Sequence, residues 1–201
     1  FFSHVVIYNF QIRFLYLFSI IFLIIDFFIN EKQIKKAKNL QVIGRAGVGV
    51  DNISIDAATK NGIVVMNVPD GNSISAAEHT IAMILALSRN LHTGHITLNE
   101  GKWDRANLIG NELKDKVVGI VGLGKIGREV IDRVLPFKVR VLGFDPYINK
   151  SLFSDDKVKI VDLDTLTKES DIISIHVPLN ESTGDLFDFK RIQMMKKESK
   201  I

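Results

Sequence analysis

Residues 117–127 read VVGIVGLGKIG, and this stretch decides the fold that we expect for the 201-residue chain. Its β-branched first half predicts a short strand, which runs directly into the glycines Gly122, Gly124 and Gly127. The residues that follow read as a helix that ends before Pro136. A strand, a glycine turn and a helix in this order are typical of a parallel α/β sheet that binds a nucleotide.

The residue types of this turn suit the pyrophosphate of a dinucleotide. Gly122 permits the tight turn, Gly124 lets the backbone approach the ligand, and Gly127 lets helix and strand pack closely. Lys125 and Ile126 would open the helix, where N–H groups and a partial positive charge favour an anion. We therefore expect a dinucleotide here, the alternative being a doubly wound sheet without a cofactor.

An acid at the end of the next predicted strand indicates which dinucleotide is bound. Residues 139–144 read as a strand, and Asp145 follows it, eighteen residues after Gly127. A carboxylate at this place accepts hydrogen bonds from the adenosine ribose and repels a 2′-phosphate. The sequence therefore predicts NAD rather than NADP.

The alternation of strands and helices continues towards the end of the chain. Residues 159–161 and 171–176 read as strands separated by a helix at 163–169, which predicts the strand order 3-2-1-4. That order places His176, Val177 and Pro178 beside the glycine turn, so we expect them to contact the cofactor. The alternative is a histidine that merely ends a strand. A fifth strand is expected to begin where the sequence stops.

A second, smaller α/β part is predicted for residues 34–74. A strand at 40–43 runs into the glycine-rich stretch 44–51, where backbone can approach a ligand closely. A tight loop without a ligand is the alternative. A helix at 53–60 and a strand at 63–68 follow.

The larger domain is predicted to span residues 75–201. Ser75 and Glu78 have the spacing of a capping box and predict a helix that runs to about Asn90. The centre of this helix, residues 81–87, is apolar on all sides, so we expect it to be buried on most of them.

The first 33 residues differ in composition from the remainder. Eight of the thirteen Phe fall within residues 1–28, and residues 14–25 contain no charge. Three interpretations are open: an artefact of gene modelling, a membrane segment, or an unusual core element. The lysines that follow would keep the body of a membrane-anchored chain in the cytosol. Because the chain opens on Phe rather than Met, we interpret it as a fragment at this end.

Composition and charge argue against several classes of function. The chain has no cysteine, which excludes disulfides, thiolate clusters and cysteine nucleophiles. Residues 1–39 carry the whole net charge of +3, and the remainder is balanced, so a nucleic-acid partner is not expected. His92 and His95 have no third ligand nearby, so no metal is predicted.

Several stretches together resemble the D-isomer-specific 2-hydroxyacid dehydrogenase family, and within it the branch that acts on 3-phosphoglycerate. The likeness covers roughly residues 34–201. It is carried by IGRAGVGVDN from Ile43, GNSISAAEHT from Gly71, GKW from Gly101, VGIVGLGKIGREV from Val118, GFDPY from Gly143 and HVPL from His176.

This resemblance implies a Rossmann-type NAD-binding domain, truncated here, and the remnant of a flavodoxin-like substrate domain. It implies oxidation of the 2-hydroxyl of 3-phosphoglycerate by hydride transfer to NAD, the entry step of serine synthesis, in a cytoplasmic homo-oligomer. Val48 matches a nicotinamide contact, and the amides near Val48 and Gly49 match the binding of the substrate carboxylate. Lys125, Ile126 and Asp145 match cofactor contacts.

The sequence also departs from the family pattern. The family's catalytic Arg, Glu and His would lie beyond Ile201, so the chain by itself is expected to be inactive. Lys138 stands where Gly is usual, which is expected to distort a turn. Val177 matches a cofactor contact, but a residue with a hydroxyl group is common at this position. The valine removes one hydrogen bond to the cofactor. The alternative function is a noncatalytic NAD-binding module or relic, tethered to a membrane by the first segment.

Overall fold

The chain folds into two compact units, Phe1–Asn72 and Ser73–Ile201. The computed structural model describes residues 20–23, 27–69, 71–149, 153 and 156–201, and of residues 21–23 it describes the backbone alone. The division falls two residues before the start that we predicted for the larger domain. Each unit is built around its own parallel sheet.

The first unit contains a three-stranded parallel sheet in the order β1-β2-β3. Its helices α1 and α2 precede and follow β2 along the chain. The elements are β1 (Ile20–Leu23), α1 (Glu31–Lys36), β2 (Val42–Arg45), α2 (Ile55–Lys60) and β3 (Val64–Met66).

Part of the phenylalanine-rich segment belongs to this unit. Phe27 and Ile29 are buried in the same apolar cluster as Ile43 of β2. The Ile29 amide also donates a hydrogen bond of 2.8 Å to the Asn52 carbonyl. Phe27 and Ile29 therefore form part of the core of the first unit, whereas Phe28 is exposed. Residues 1–19 and 24–26 of the segment lie outside the described residues.

Within the described part of the chain, no helix is long and apolar enough to cross a membrane. The membrane interpretation rested mainly on the uncharged run 14–25. Of that run, the structure describes residues 20–23, which form a strand paired with β2 rather than a helix.

The second unit contains a four-stranded parallel sheet in the order β6-β5-β4-β7. When the four strands are numbered 1 to 4 along the chain, this order is 3-2-1-4. The predicted strand order is therefore confirmed. The strands are β4 (Val117–Val121), β5 (Arg140–Phe144), β6 (Val158–Ile160) and β7 (Ile172–Ile175). The helices are α3 (Ser73–Ser88), α4 (Leu91–Asn99), α5 (Lys125–Val134), α6 (Leu163–Glu169) and α7 (Phe189–Met194).

Helices cover both faces of this sheet. Successive side chains of a strand point to opposite faces, and β4 follows that rule. Val118 packs with Ile84 of α3 and Val130 of α5. Val121 packs on the other side with Leu166 of α6. The doubly wound α/β fold predicted from the sequence is therefore confirmed.

Helix α3 differs from the prediction in two respects. It begins at Ser73, so Ser75 lies within the first turn and the predicted capping box is wrong. A capping residue has to stand just outside the helix with a non-helical backbone, and Ser75 does not. The helix is also less buried than its sequence predicted, because Ile74, Met83 and Leu87 remain about half exposed. Only one stripe of α3 packs against the unit.

The last residues pair with the free edge of β7. The Ile173 amide donates a hydrogen bond of 2.8 Å to the Lys200 carbonyl, and the Lys200 amide donates one of 3.0 Å to the Asp171 carbonyl. This is the parallel pairing expected at the start of a fifth strand.

Candidate cofactor-binding site

The glycine turn lies between the carboxyl ends of β5 and β7. The Gly122 amide donates a hydrogen bond of 2.8 Å to the Phe144 carbonyl, at the end of β5. The His176 amide, just after β7, donates one of 2.7 Å to the Val121 carbonyl. Strand order reverses at this point, and in open α/β sheets the ligand binds in the crevice formed there.

Gly122 cannot be replaced by a residue with a side chain without strain. Its φ is +92°, a conformation that L residues rarely adopt. A Cβ added to it would lie 2.5 Å from the His176 carbonyl oxygen and 2.9 Å from Cγ1 of Val177. The glycine therefore allows the turn to pack directly against the residues that follow β7.

The other two glycines of the motif have opposite surroundings. A Cβ on Gly127 would overlap the carbonyl oxygen of Gly122, so this glycine lets α5 approach the turn. A Cβ on Gly124 would meet no atom within 4 Å. The side of Gly124 that a side chain would fill is therefore open, as a pyrophosphate-binding backbone requires.

The open side of Gly124 adjoins the N-terminus of α5. Gly124 is the N-cap, with extended backbone (φ −68°, ψ −161°), and makes no side-chain cap. Lys125 and Ile126 form the first turn, as predicted. N–H groups of a first turn have no acceptor within their own helix, and together with the helix dipole they favour an anion. The residues present thus fit the pyrophosphate of a dinucleotide.

Asp145 follows β5 and is held against the glycine turn. Its Oδ2 accepts a hydrogen bond of 2.9 Å from the Leu123 amide, and its Oδ1 accepts one of 2.9 Å from the Tyr147 amide. Each carboxylate oxygen can accept a second hydrogen bond. The carboxylate can therefore accept further hydrogen bonds while both backbone contacts remain. The link to Leu123 was not predicted, since no sequence spacing signals it.

His176, Val177 and Pro178 lie where the predicted strand order placed them. The His176 ring is half-buried, and its Nε2 lies 2.9 Å from the Ser174 Oγ. Burial lowers the pKa of His176 below its usual value, which favours the neutral ring. Val177 packs against the apolar cluster on the α6 side of the sheet, whereas Pro178 is exposed.

Val48 and Gly49 belong to the first unit, in the loop that follows β2. The Asn67 side chain, just after β3, donates a hydrogen bond of 2.7 Å to the Val48 carbonyl. The next amide, that of Val68, donates one of 3.0 Å to the Gly47 carbonyl. Sequence reasoning did not single out Asn67, because a side chain that holds a carbonyl has no characteristic spacing.

Among the described residues, no group of three or more His, Asp or Glu could hold a metal ion.

A parallel sheet with a glycine turn at its switch point, an open helix N-terminus and an acid after β5 defines a Rossmann-type dinucleotide-binding protein. The sequence model described as "D-isomer specific 2-hydroxyacid dehydrogenase, NAD binding domain" matches residues 81–201. The chain therefore belongs to the D-isomer-specific 2-hydroxyacid dehydrogenase family. The match also confirms NAD as the cofactor predicted from the glycine turn and Asp145.

Curated relatives show which members of this family the chain is similar to. D-3-phosphoglycerate dehydrogenase of Archaeoglobus fulgidus is 46% identical over 168 residues, which are 84% of this chain and 32% of that protein. The enzyme of the same name from Methanocaldococcus jannaschii is 45% identical over 169 residues, with the same coverage of both chains. The chain thus spans about a third of the length of the curated relatives it matches.

Solved structures agree with the fold. An NAD-dependent formate dehydrogenase from Staphylococcus aureus, in complex with NAD, superposes with a TM-score of 0.86 at 34% identity. The likeness covers 94% of this chain and 57% of that one.

Proposed function

We propose that this protein oxidises the 2-hydroxyl of a D-2-hydroxy acid with NAD, and that its substrate is 3-phosphoglycerate. The observation that carries the proposal is the glycine turn, open at Gly124 and joined to Asp145, at the switch point of the sheet. The relatives named D-3-phosphoglycerate dehydrogenase, at 45–46% identity, support the choice of substrate.

Each part of the site has a defined role in this proposal. The first turn of α5 binds the pyrophosphate, and Asp145 accepts hydrogen bonds from the adenosine ribose. His176, Val177 and Pro178 flank the cofactor on the β7 side of the turn. When bound, NAD accepts a hydride from the carbon that carries the hydroxyl. These residues therefore hold and orient the cofactor rather than react themselves.

Two residues of the first unit also have roles in this proposal. We assign Val48 to a nicotinamide contact, and the amides of Val48 and Gly49 to the carboxylate of the substrate. Both residues are partly exposed in a loop of irregular backbone. These roles follow from the resemblance and stand as proposals.

The test is an assay of NADH formation with protein made from its complete coding sequence. We expect NAD to be reduced with 3-phospho-D-glycerate, and neither with its L isomer nor with formate. NADP is expected to be a poor substitute. If the protein binds NADH but oxidises no D-2-hydroxy acid, the proposal is wrong and a noncatalytic NAD-binding module is the better description.

We also propose that the protein is a homo-oligomer. Within the second unit, α4 buries none of its residues. Leu98, Trp103 and Ile109, in or after this helix, leave more than half of their surface exposed. An exposed apolar surface of this kind is typical of a protein–protein interface. Light scattering on the wild type and on Trp103→Lys tests it: we expect the wild type to be at least dimeric and the variant to dissociate.

A cytoplasmic location accords with this function, because NAD and phosphorylated hydroxy acids are intracellular metabolites. Fractionation of the native cells tests it. Recovery of the protein in the membrane fraction would contradict this location.

A further inference from the structure

The loop after β2 is held by its carbonyl groups. The Gly47 carbonyl accepts from the Val68 amide over 3.0 Å, and the Val48 carbonyl accepts from the Asn67 side chain over 2.7 Å. Asn67 and Val68 are neighbours just beyond the end of β3, so both donors lie on the same side of the loop. Two successive peptide groups of the loop are therefore fixed from that side.

The direction of these carbonyls determines the direction of two amides. The structure contains no cis peptide bond among its described residues. In a trans peptide the N–H points away from the C=O of the same plane. Because the Gly47 and Val48 carbonyls point to Asn67 and Val68, the amides of Val48 and Gly49 point to the opposite side. Neither amide donates a hydrogen bond to another residue in the described part of the chain.

We propose that Asn67 is a positioning residue that orients this amide pair towards the substrate carboxylate. The inference rests on the proposed function of Val48 and Gly49. Successive backbone N–H groups that point to one side form an anion-binding site. The backbone amide of Val68 fixes the direction of the Val48 amide. The direction of the Gly49 amide depends on the Asn67 side chain.

The sequence explains why the peptide group between Val48 and Gly49 needs the hydrogen bond from Asn67. Gly49 has no Cβ, so the peptide between Val48 and Gly49 can rotate with little steric resistance. Rotation would turn the Val48 carbonyl, rather than the Gly49 amide, towards an anion. The hydrogen bond from Asn67 opposes that rotation, and donors fixed in advance bind an anion better than donors that must reorient.

Two substitutions separate this role from a structural one. Asn67→Asp preserves the size of the side chain but replaces its donor with an acceptor, so it cannot bind the Val48 carbonyl. Asn61→Ala is the matched control: the Asn61 side chain donates a bond of 2.8 Å to the Ala57 carbonyl at the end of α2. Each variant thus loses one bond from an asparagine side chain to a backbone carbonyl of the first unit.

Kinetics on protein made from the complete coding sequence give the first readout. We expect Asn67→Asp to raise the KM for 3-phospho-D-glycerate about tenfold, the loss expected for a weakened hydrogen bond to a charged group. Its affinity for ADP-ribose, which has neither nicotinamide nor carboxylate, should stay within about twofold. Asn61→Ala should change neither constant. Because the Asp carboxylate also repels an anionic substrate, the uncharged Asn67→Leu should raise the KM to a similar extent; a KM for either variant within about twofold of the wild type would overturn the inference.

Amide resonances of the labelled chain give a second readout that needs no turnover. We expect those of Val48 and Gly49 to shift when 3-phospho-D-glycerate is added, with weaker binding in Asn67→Asp. If they shift in this way while no hydroxy acid is oxidised, the proposed function fails and the inference stands. If the enzyme turns over but Asn67→Asp binds as the wild type does, the inference fails alone. Wild-type resonances that do not move also overturn it.

Discussion

Asp145 and Leu123 are joined by a hydrogen bond of 2.9 Å, from the Leu123 amide to the Asp145 carboxylate. The acid that we assign to the ribose thus also fixes the middle of the glycine turn to the end of β5. On this assignment, recognition of the cofactor and the shape of the turn depend on the same side chain. Substitution of this residue tests both.

Asp145→Ala should weaken NAD binding and leave NADP binding nearly unchanged. The variant loses the ribose contact, which lowers the affinity for NAD about tenfold if that hydrogen bond contributes about 1.5 kcal/mol. For NADP the loss is offset, because the repulsion of the 2′-phosphate is relieved. Fluorescence titration with NADH and NADPH measures both affinities.

Asp162→Ala is the matched control for this experiment. The Asp162 carboxylate also accepts a backbone amide, that of Thr165 at 2.9 Å, but at the start of α6. Asp162→Ala should lower the free energy of unfolding without changing the affinity for NADH or NADPH. Equal losses for NADH and NADPH in Asp145→Ala would show that the acid shapes the turn but does not select the cofactor.

Gly124→Ala and Gly127→Ala should have different effects. A methyl group on Gly124 meets no protein atom within 4 Å, so the variant should fold with a wild-type melting temperature but lose much of its NADH affinity. A methyl group on Gly127 overlaps the Gly122 carbonyl and should cost about 1–3 kcal/mol of unfolding free energy. Thermal unfolding and NADH titration of both variants check this. Normal NADH binding by Gly124→Ala would contradict the assignment of the pyrophosphate.

His176 should make the stability of the protein depend on pH. Burial lowers its pKa in the folded state below the usual 6.5, so the unfolded chain binds the proton more readily. The free energy of unfolding should therefore fall as the pH drops below about 6.5 and level off below the folded-state pKa. Urea unfolding between pH 8 and 5, in the wild type and in His176→Gln, should show a smaller fall in the variant. A fall in His176→Gln as steep as that in the wild type would show that His176 does not cause the pH dependence.

Lys138→Gly should stabilise the protein. Lys138 has a φ of +60° in the turn between α5 and β5, and its carbonyl accepts a hydrogen bond of 3.0 Å from the Asp115 amide. A left-handed backbone costs a residue with a Cβ about 1–2 kcal/mol, part of which the flexibility of glycine in the unfolded chain offsets. We expect a net gain of about 0.5–1 kcal/mol in chemical unfolding. Lys138→Ala keeps the Cβ and should show no such gain.

Some elements could be predicted to the residue. The strand 117–121 and the helix 163–169 have the predicted bounds, because a β-branched run and a capping acid are local signals. Asp162 caps that helix through the Thr165 amide. The start of α3 was missed, since the capping-box pattern at Ser75 is equally compatible with a position inside a first turn. Local patterns do not distinguish the two.

The sequence by itself determined the parallel doubly wound fold, the glycine turn, the acid after β5 and NAD as the cofactor. All of these depend on residue types at short fixed spacings, which act through backbone conformation and strand periodicity. Only the tertiary structure decided that Asp145 holds Leu123, that Asn67 holds Val48, and that one face of α3 stays exposed. These are contacts, or missing contacts, between segments distant along the chain, and they depend on how strands and helices pack.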